Sequence, residues 1–142
     1  MTTLSINDLS HAAIGAAIEV HRELGPGLLE SAYEGAYCHE LELRGLSYVR
    51  QQTFPITYKG AKIDAGYRLD LVVDDRLLIE LKAVEKLAPV HASQLLTYLR
   101  LRRNELGLLI NFNVQKLVDG IERISNRAPN LSANSASSAL KN

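Results

Sequence analysis

Between residues 7 and 24 the apolar positions Leu9, Ala13, Ala17, Val20 and Leu24 recur at spacings of three and four, and that period predicts an amphipathic helix. Gly25-Pro26 supplies its stop. A second helix is predicted over 28–44, with Leu29, Tyr33, Ala36 and Leu43 near one face, Glu30 at the start where the helix dipole favours an acid, and Gly45 at the end. The pattern then changes to β-branched and aromatic residues, which gives candidate strands at 47–53 and 55–59. Pro55 separates them or marks an edge, and Lys59-Gly60 reads as a turn.

Residues 67–73 and 77–82 read as two paired strands around the acidic loop Asp74-Asp75-Arg76. Helical spacing returns at 89–104 through Leu95, Leu96 and Leu99, followed by a buried strand at 107–113. A short strand or hairpin is expected at 117–124, broken at Asp119-Gly120. Residues 125–142 are rich in Ser, Asn and Ala and lack the large apolar groups that offset ordering entropy, so a disordered tail is expected there. Helices, then strands, then helix and strand give an α/β chain of the α+β type: one domain over residues 1–124 with a central mixed sheet flanked by helices.

The chain's 142 residues suit one such domain, and 46% hydrophobic with 23% charged residues suits a folded one. Sixteen basic side chains balance sixteen acidic ones, which argues against coating nucleic acid by bulk positive charge. A local basic surface is left at Arg100, Arg102 and Arg103, where favourable placement at a helix C-terminus is an equal alternative. The lone Cys38 excludes an internal disulfide and a cysteine-cluster zinc site, and it reads as filler rather than a nucleophile. No apolar run reaches membrane length, and the N-terminus lacks a signal-peptide pattern, so a cytoplasmic protein without membrane contact is expected. The four histidines form no metal-binding spacing, and His91 alone lies close in sequence to the other candidates named below.

Chemistry concentrates on Asp70, Glu80 and Lys82, which interrupt strands otherwise made of Leu, Val and Ile, where unpaired charge is costly. Glu80 and Lys82 are two apart and share a face, with Leu81 on the other. A three-residue loop at 74–76 pairs Val73 with Leu77 and sets Asp70 opposite Glu80. A two-residue loop would pair Val73 with Arg76 and turn Asp70 away. Two facing carboxylates repel unless a positive group lies between them, and a hard divalent cation such as Mg²⁺ suits oxygen ligands. With a lysine beside it, this set meets the needs of phosphodiester hydrolysis.

Gly27-Leu28-Leu29-Glu30-Ser31-Ala32-Tyr33 matches the pattern that names the GxxExxY proteins, and Asp70, Glu80-Leu81-Lys82 and Gln94-Leu95-Leu96-Thr97-Tyr98 resemble motifs of RecB-like PD-(D/E)XK nucleases. The resemblance covers roughly residues 8–124 and is specific as an ordered set. It implies that Glu30 joins Asp70 and Glu80 around the metal, with the Leu81 carbonyl as a further ligand. It also implies that Lys82 is the catalytic lysine, that Gln94 orients Lys82 or the attacking water, and that Tyr98 touches the nucleic-acid backbone, with Arg100 and Arg103 nearby. Tyr33 could brace Glu30 through its hydroxyl, with an amphipathic core position as the alternative.

The expected function is therefore a Mg²⁺- or Mn²⁺-dependent nuclease acting on DNA more than RNA. Its main alternative is a non-catalytic binding or regulatory module that keeps the nuclease fold and works through a partner protein or nucleic acid. Hydrolysis of a small phosphate ester is a further rival, and a homodimer is compatible with the chain.

Overall fold

The computed structural model describes residues 3–127, and for residues 65–67 the backbone alone. Two helices, α1 (Ile6–Leu24) and α2 (Glu30–Leu43), lead into strands β1 (Tyr48–Tyr58), β2 (Ala61–Val73) and β3 (Leu77–Lys82). Helix α3 (Pro89–Arg102), strand β4 (Leu106–Asn111), a 3-10 turn (Leu117–Gly120) and strand β5 (Ile121–Ser125) follow. Among the described residues the sheet runs in the order β1-β2-β3-β4-β5. All neighbours are antiparallel except β3 and β4, which α3 joins as a parallel crossover.

Helices cover both faces of the sheet centre. On one face Leu9, Ala13 and Ala17 of α1 and Tyr33 and Tyr37 of α2 pack on Leu71, Ile79, Leu81 and Ile110. On the other, Leu95, Tyr98 and Leu99 of α3 pack on Leu69, Val72, Leu78 and Leu109. Burial on both sides is why 106–110 reads as one unbroken apolar run rather than an alternating strand. Helix α3 lies so close that a Cβ at Gly107 would press on the Leu95 side chain.

Three boundaries differ from the sequence expectation. The two strands at 47–53 and 55–59 are one edge strand, and Pro55 falls in a register irregularity between Phe54 and Ile56, where a missing N–H costs no ladder bond. The turn after it is at Lys59-Gly60 as expected, with φ of 48° and 83°, the pair of left-handed residues that a tight hairpin needs. Residues 117–120 form the 3-10 turn rather than strand. There Gly120 is obligatory, because a Cβ would run into the Asn111 carbonyl oxygen.

The fold also passes the expected limit at residue 124. Ser125 pairs with Leu106, and Asn126 is 5% exposed with its amide on the Leu99 and Asn104 carbonyls. A short polar residue can close a domain when its side chain satisfies carbonyls at a helix end, which apolar counting overlooks. The remainder of the expected tail, 128–142, lies outside the described residues.

Candidate active site

The β2–β3 loop has three residues: Val73 pairs with Leu77, and the ladder continues through Val72–Leu78 to Leu71–Ile79. Asp74 and Asp75 take φ of 53° and 58°, a region that short polar side chains tolerate. One step beyond Leu71–Ile79 the strands part, and side chains replace the backbone ladder. The Asp70 N–H donates to Glu80 Oε1 at 2.9 Å, and the Leu81 N–H donates to Asp70 Oδ2 at 2.8 Å. Each acid thus accepts an amide from the other strand, because a buried carboxylate needs donors and the opened ladder supplies two.

Leu78 belongs to the α3-side core, while Leu77, Ile79 and Leu81 belong to the α1–α2 side. Strand alternation therefore puts Glu80 and Lys82 on the α3 face. The Leu81 N–H points into the fork, and the carbonyl of the same strand residue projects to the same edge. The Lys82 carbonyl points the other way and accepts the Phe112 N–H at 2.9 Å.

Glu80 is only 7% exposed. Burial, then the charge of Asp70, push its carboxyl from the ordinary 4.5 up to about 8, against the opposing pull of the Asp70 N–H and Lys82. Asp70 is also raised, first by burial and then by Glu34 and Glu30, with the Leu81 N–H and Lys82 acting against the shift. Lys82 is the positive side chain whose field acts on both.

A buried and a half-buried carboxyl, both held above their ordinary values, are a donor set that a hard cation would complete. Among the described residues no three acidic, histidine or cysteine side chains gather closely enough to hold an ion by themselves. The set fits a hard divalent ion of the kind that takes one or two carboxylates and completes its shell with other oxygens. Glu30 is exposed at the first turn of α2, and its charge reaches both carboxyls without closing a three-acid cluster.

Sequence reasoning missed Gln51 and Glu34. Gln51 sits at φ 51°, an uncommon backbone state for a non-glycine residue, and its amide donates to Glu34 Oε1 at 2.7 Å and more weakly to Asp70 Oδ1 at 3.4 Å. Its own Oε1 is buried without a partner. Arg50 clamps Glu34 Oε2 through two nitrogens at 3.1 and 2.9 Å. The available signal was the polar run Arg50-Gln51-Gln52 inside a strand pattern. Asn111 was missed too. It is buried and bonds both backbone groups of Val84, fixing the chain just after Lys82.

Tyr33 does not brace the Glu30 carboxyl. Its hydroxyl donates to the Gly25 carbonyl at 2.5 Å and accepts the Leu28 N–H at 3.2 Å, while its ring stacks on Phe112 at 4.5 Å. It pins the loop that delivers Glu30, and in that loop Gly27 takes φ of 102°. Tyr98 is 6% exposed, packs against Phe54 and donates to the Arg68 carbonyl, so its place is in the α3 core rather than on a substrate-facing surface. A helix residue four after Gln94 lies over the sheet when the buried stripe is Leu95, Tyr98 and Leu99. Gln94, Arg100 and Arg103 are exposed on or just after α3. His91 caps that helix, its Nδ1 accepting the Ala88 N–H at 3.0 Å.

A mixed sheet between helix layers, with an acid pair where two strands part and a lysine two residues on, defines a nuclease-like class of domain. A family model for the PD-(D/E)XK nuclease superfamily matches residues 7–124, and the chain belongs to that superfamily. No curated protein matches the chain. No solved structure matches it either.

Proposed function

We propose that this protein is a nuclease of the GxxExxY type that uses Mg²⁺ or Mn²⁺ to hydrolyse phosphodiester bonds of DNA. The observation that carries the reading is the reciprocal pair of bonds at the fork, Asp70 N–H to Glu80 and Leu81 N–H to Asp70, with Lys82 one strand position beyond. The two backbone amides hold one oxygen of each carboxylate and leave the other to a ligand, which supports a site at this fork. Asp70, Glu80 and the Leu81 carbonyl would hold the ion, with Glu30 contributing from α2. When bound, the ion supplies charge to a phosphate oxygen and acidity to water. Lys82 would steer the attacking water and Gln94 would orient Lys82 or that water, while Arg100 and Arg103 would meet phosphates.

The deciding experiment incubates the purified protein and its Lys82→Ala variant with single-stranded DNA, duplex DNA and RNA, with Mn²⁺ or with EDTA. Metal-dependent cleavage by the wild type alone supports the reading. Equal products from both proteins would sink it. That no three-acid group stands ready among the described residues favours one second reading, a nuclease-fold module that binds nucleic acid or a partner protein without cutting. Binding without cleavage in the same assay identifies it.

A further inference from the structure

Strand β2 is loosened at Asp70 on both of its sides. Toward β3 the ladder ends at Leu71–Ile79, one step short of the fork. Toward β1 the register passes from Arg50–Leu71 to Gln52–Leu69, and the step between them, Gln51 opposite Asp70, is missing from the ladder. Leu69 packs in the α3-side core and Leu71 in the core on the α1–α2 side. Residues two apart on a regular strand share a face, so β2 departs from regular alternation at Asp70.

Gln51 is the matching irregularity on β1, with φ of 51°, a backbone state disfavoured for residues that carry a Cβ. From there its amide N–H₂ meets two carboxylates at once, Glu34 Oε1 at 2.7 Å and Asp70 Oδ1 at 3.4 Å. Asp70 Oδ1 is the oxygen that the Leu81 N–H leaves free, since that amide takes Oδ2. Glu34 is buried, and the Arg50 guanidinium fixes its other oxygen. Among the acids that push the Asp70 carboxyl up, Glu34 acts ahead of Glu30. The left-handed backbone and the unpartnered Oε1 of Gln51 are both unfavourable, and backbone strain kept beside a candidate site points to a use there.

We propose that Gln51 is a positioning residue of the acid pair, whose amide spans Glu34 and Asp70 and holds in place the Asp70 oxygen left for a cation. The inference rests on the reading of the fork as a hard-cation site, and it adds a side chain that orients a ligand without being one. A neutral donor suits that task. It satisfies two acids without the full charge that an arginine in its place would set against the ion.

The test measures Mn²⁺ affinity without nucleic acid, by loss of the free-ion electron paramagnetic resonance signal, for wild type, Gln51→Ala and Gln51→Gly. Melting curves in EDTA show whether each protein folds. Glycine separates the two properties of the residue, because it removes the amide and relaxes the left-handed backbone together. Both variants should bind Mn²⁺ about 10–100-fold more weakly than wild type, the usual loss on removing a group that orients a metal ligand. A glycine variant with wild-type affinity overturns the inference and leaves the fork as the metal site. A glycine variant that does not fold overturns it too, by making Gln51 a residue of the fold. If wild type itself takes up no Mn²⁺, the inference falls together with the metal site. A wild type that binds Mn²⁺, with both variants weakened, yet cleaves neither DNA nor RNA removes the nuclease reading and leaves the positioning role standing.

Discussion

The β2–β3 hairpin carries two acids at each end, and the two ends treat them in opposite ways. At the turn, Asp74 pairs with Arg76 at 2.9 Å and Asp75 with Arg102 at 2.5 Å, and Asp75 is 87% exposed. Arg102 is further tied to Gln52 and Asn104. At the fork, Asp70 and Glu80 are sequestered together, receive backbone amides instead of guanidinium groups, and are both pushed up from the ordinary carboxyl range. The same strands could have carried an arginine to the fork as they meet one at the turn. Keeping two carboxyls this close, with only the Lys82 field and two backbone amides against their burial, costs stability in the free protein whenever both are charged. Acidity alone is uninformative here, and unmatched burial of acidity is the signal.

The largest effect that separates the ends is on cleavage. Lys82→Ala and Asp70→Asn are each expected to lower the metal-dependent cleavage rate by about 10²–10⁴-fold, the usual range for losing a positioned acid–base group or ligand. Asp75→Asn, at the other end of the same hairpin, should leave the rate within about twofold, since its partner lies at a surface ion pair. Steady-state cleavage on all three variants makes the comparison. A fall as large in Asp75→Asn as in Asp70→Asn would erase the distinction between the ends.

Metal response comes next in size. An ion that binds only the folded protein at a hundred times its dissociation constant stabilises it by about 2.7 kcal/mol. The wild type should show a gain of that order in melting curves with Mn²⁺, whereas Asp70→Asn should show almost none. The apo variant should be as stable as the wild type or slightly more so, because the Asp70 charge that helps push up the Glu80 carboxyl has been removed. An identical Mn²⁺ response in the two proteins would remove Asp70 from the metal site.

Much of this contrast was legible in the sequence. Three residues between Val73 and Leu77 set the register, and the register brings Asp70 and Glu80 together; polar residues inside apolar strands then mark the spot. Helices α1, α2 and α3 followed from apolar spacing because each buries one stripe. Illegible were the groups whose role depends on chain segments far apart in sequence. Gln51 reaches Glu34 and Asp70 only because its backbone turns left-handed, and Asn111 acts on Val84, 27 residues away. Tyr98 was misplaced because a helical motif fixes which residues share a face but not which face meets the sheet. Pro55 was read as a possible break because an edge strand with a bulge cannot be told from two strands without its partner.

A smaller effect should appear in the pH dependence of the metal-free protein. The folded state holds the Glu80 proton up to about 8, and the unfolded chain releases it near 4.5. Between those values the folded form binds more protons than the unfolded form, so stability falls as pH rises, is undiminished below 4.5 and is fully reduced above about 8. Glu80→Gln keeps an oxygen for the Asp70 N–H and removes the titration, and it should flatten this part of the profile. Chemical denaturation at a series of pH values in EDTA would show it. A wild-type curve that rises over the same interval contradicts the assignment.

The smallest effect belongs to the turn. Removing the Asp75 charge eliminates one ion pair whose acid is almost wholly in water, where screening and side-chain entropy cancel most of the attraction, so Asp75→Asn should cost no more than about 0.5 kcal/mol. Arg102→Ala should cost more, about 1 kcal/mol, because that side chain is 18% exposed and also joins Gln52 on β1 to Asn104 beyond α3. Both losses should be the same with and without Mn²⁺, since neither acid nor arginine at this end has a place for an ion. Denaturant titrations of the two variants with and without Mn²⁺ test all three statements together. If Asp75→Asn proved stabilising, the turn too would hold an unresolved repulsion between Asp74 and Asp75, and the contrast between the two ends would be one of degree rather than of kind.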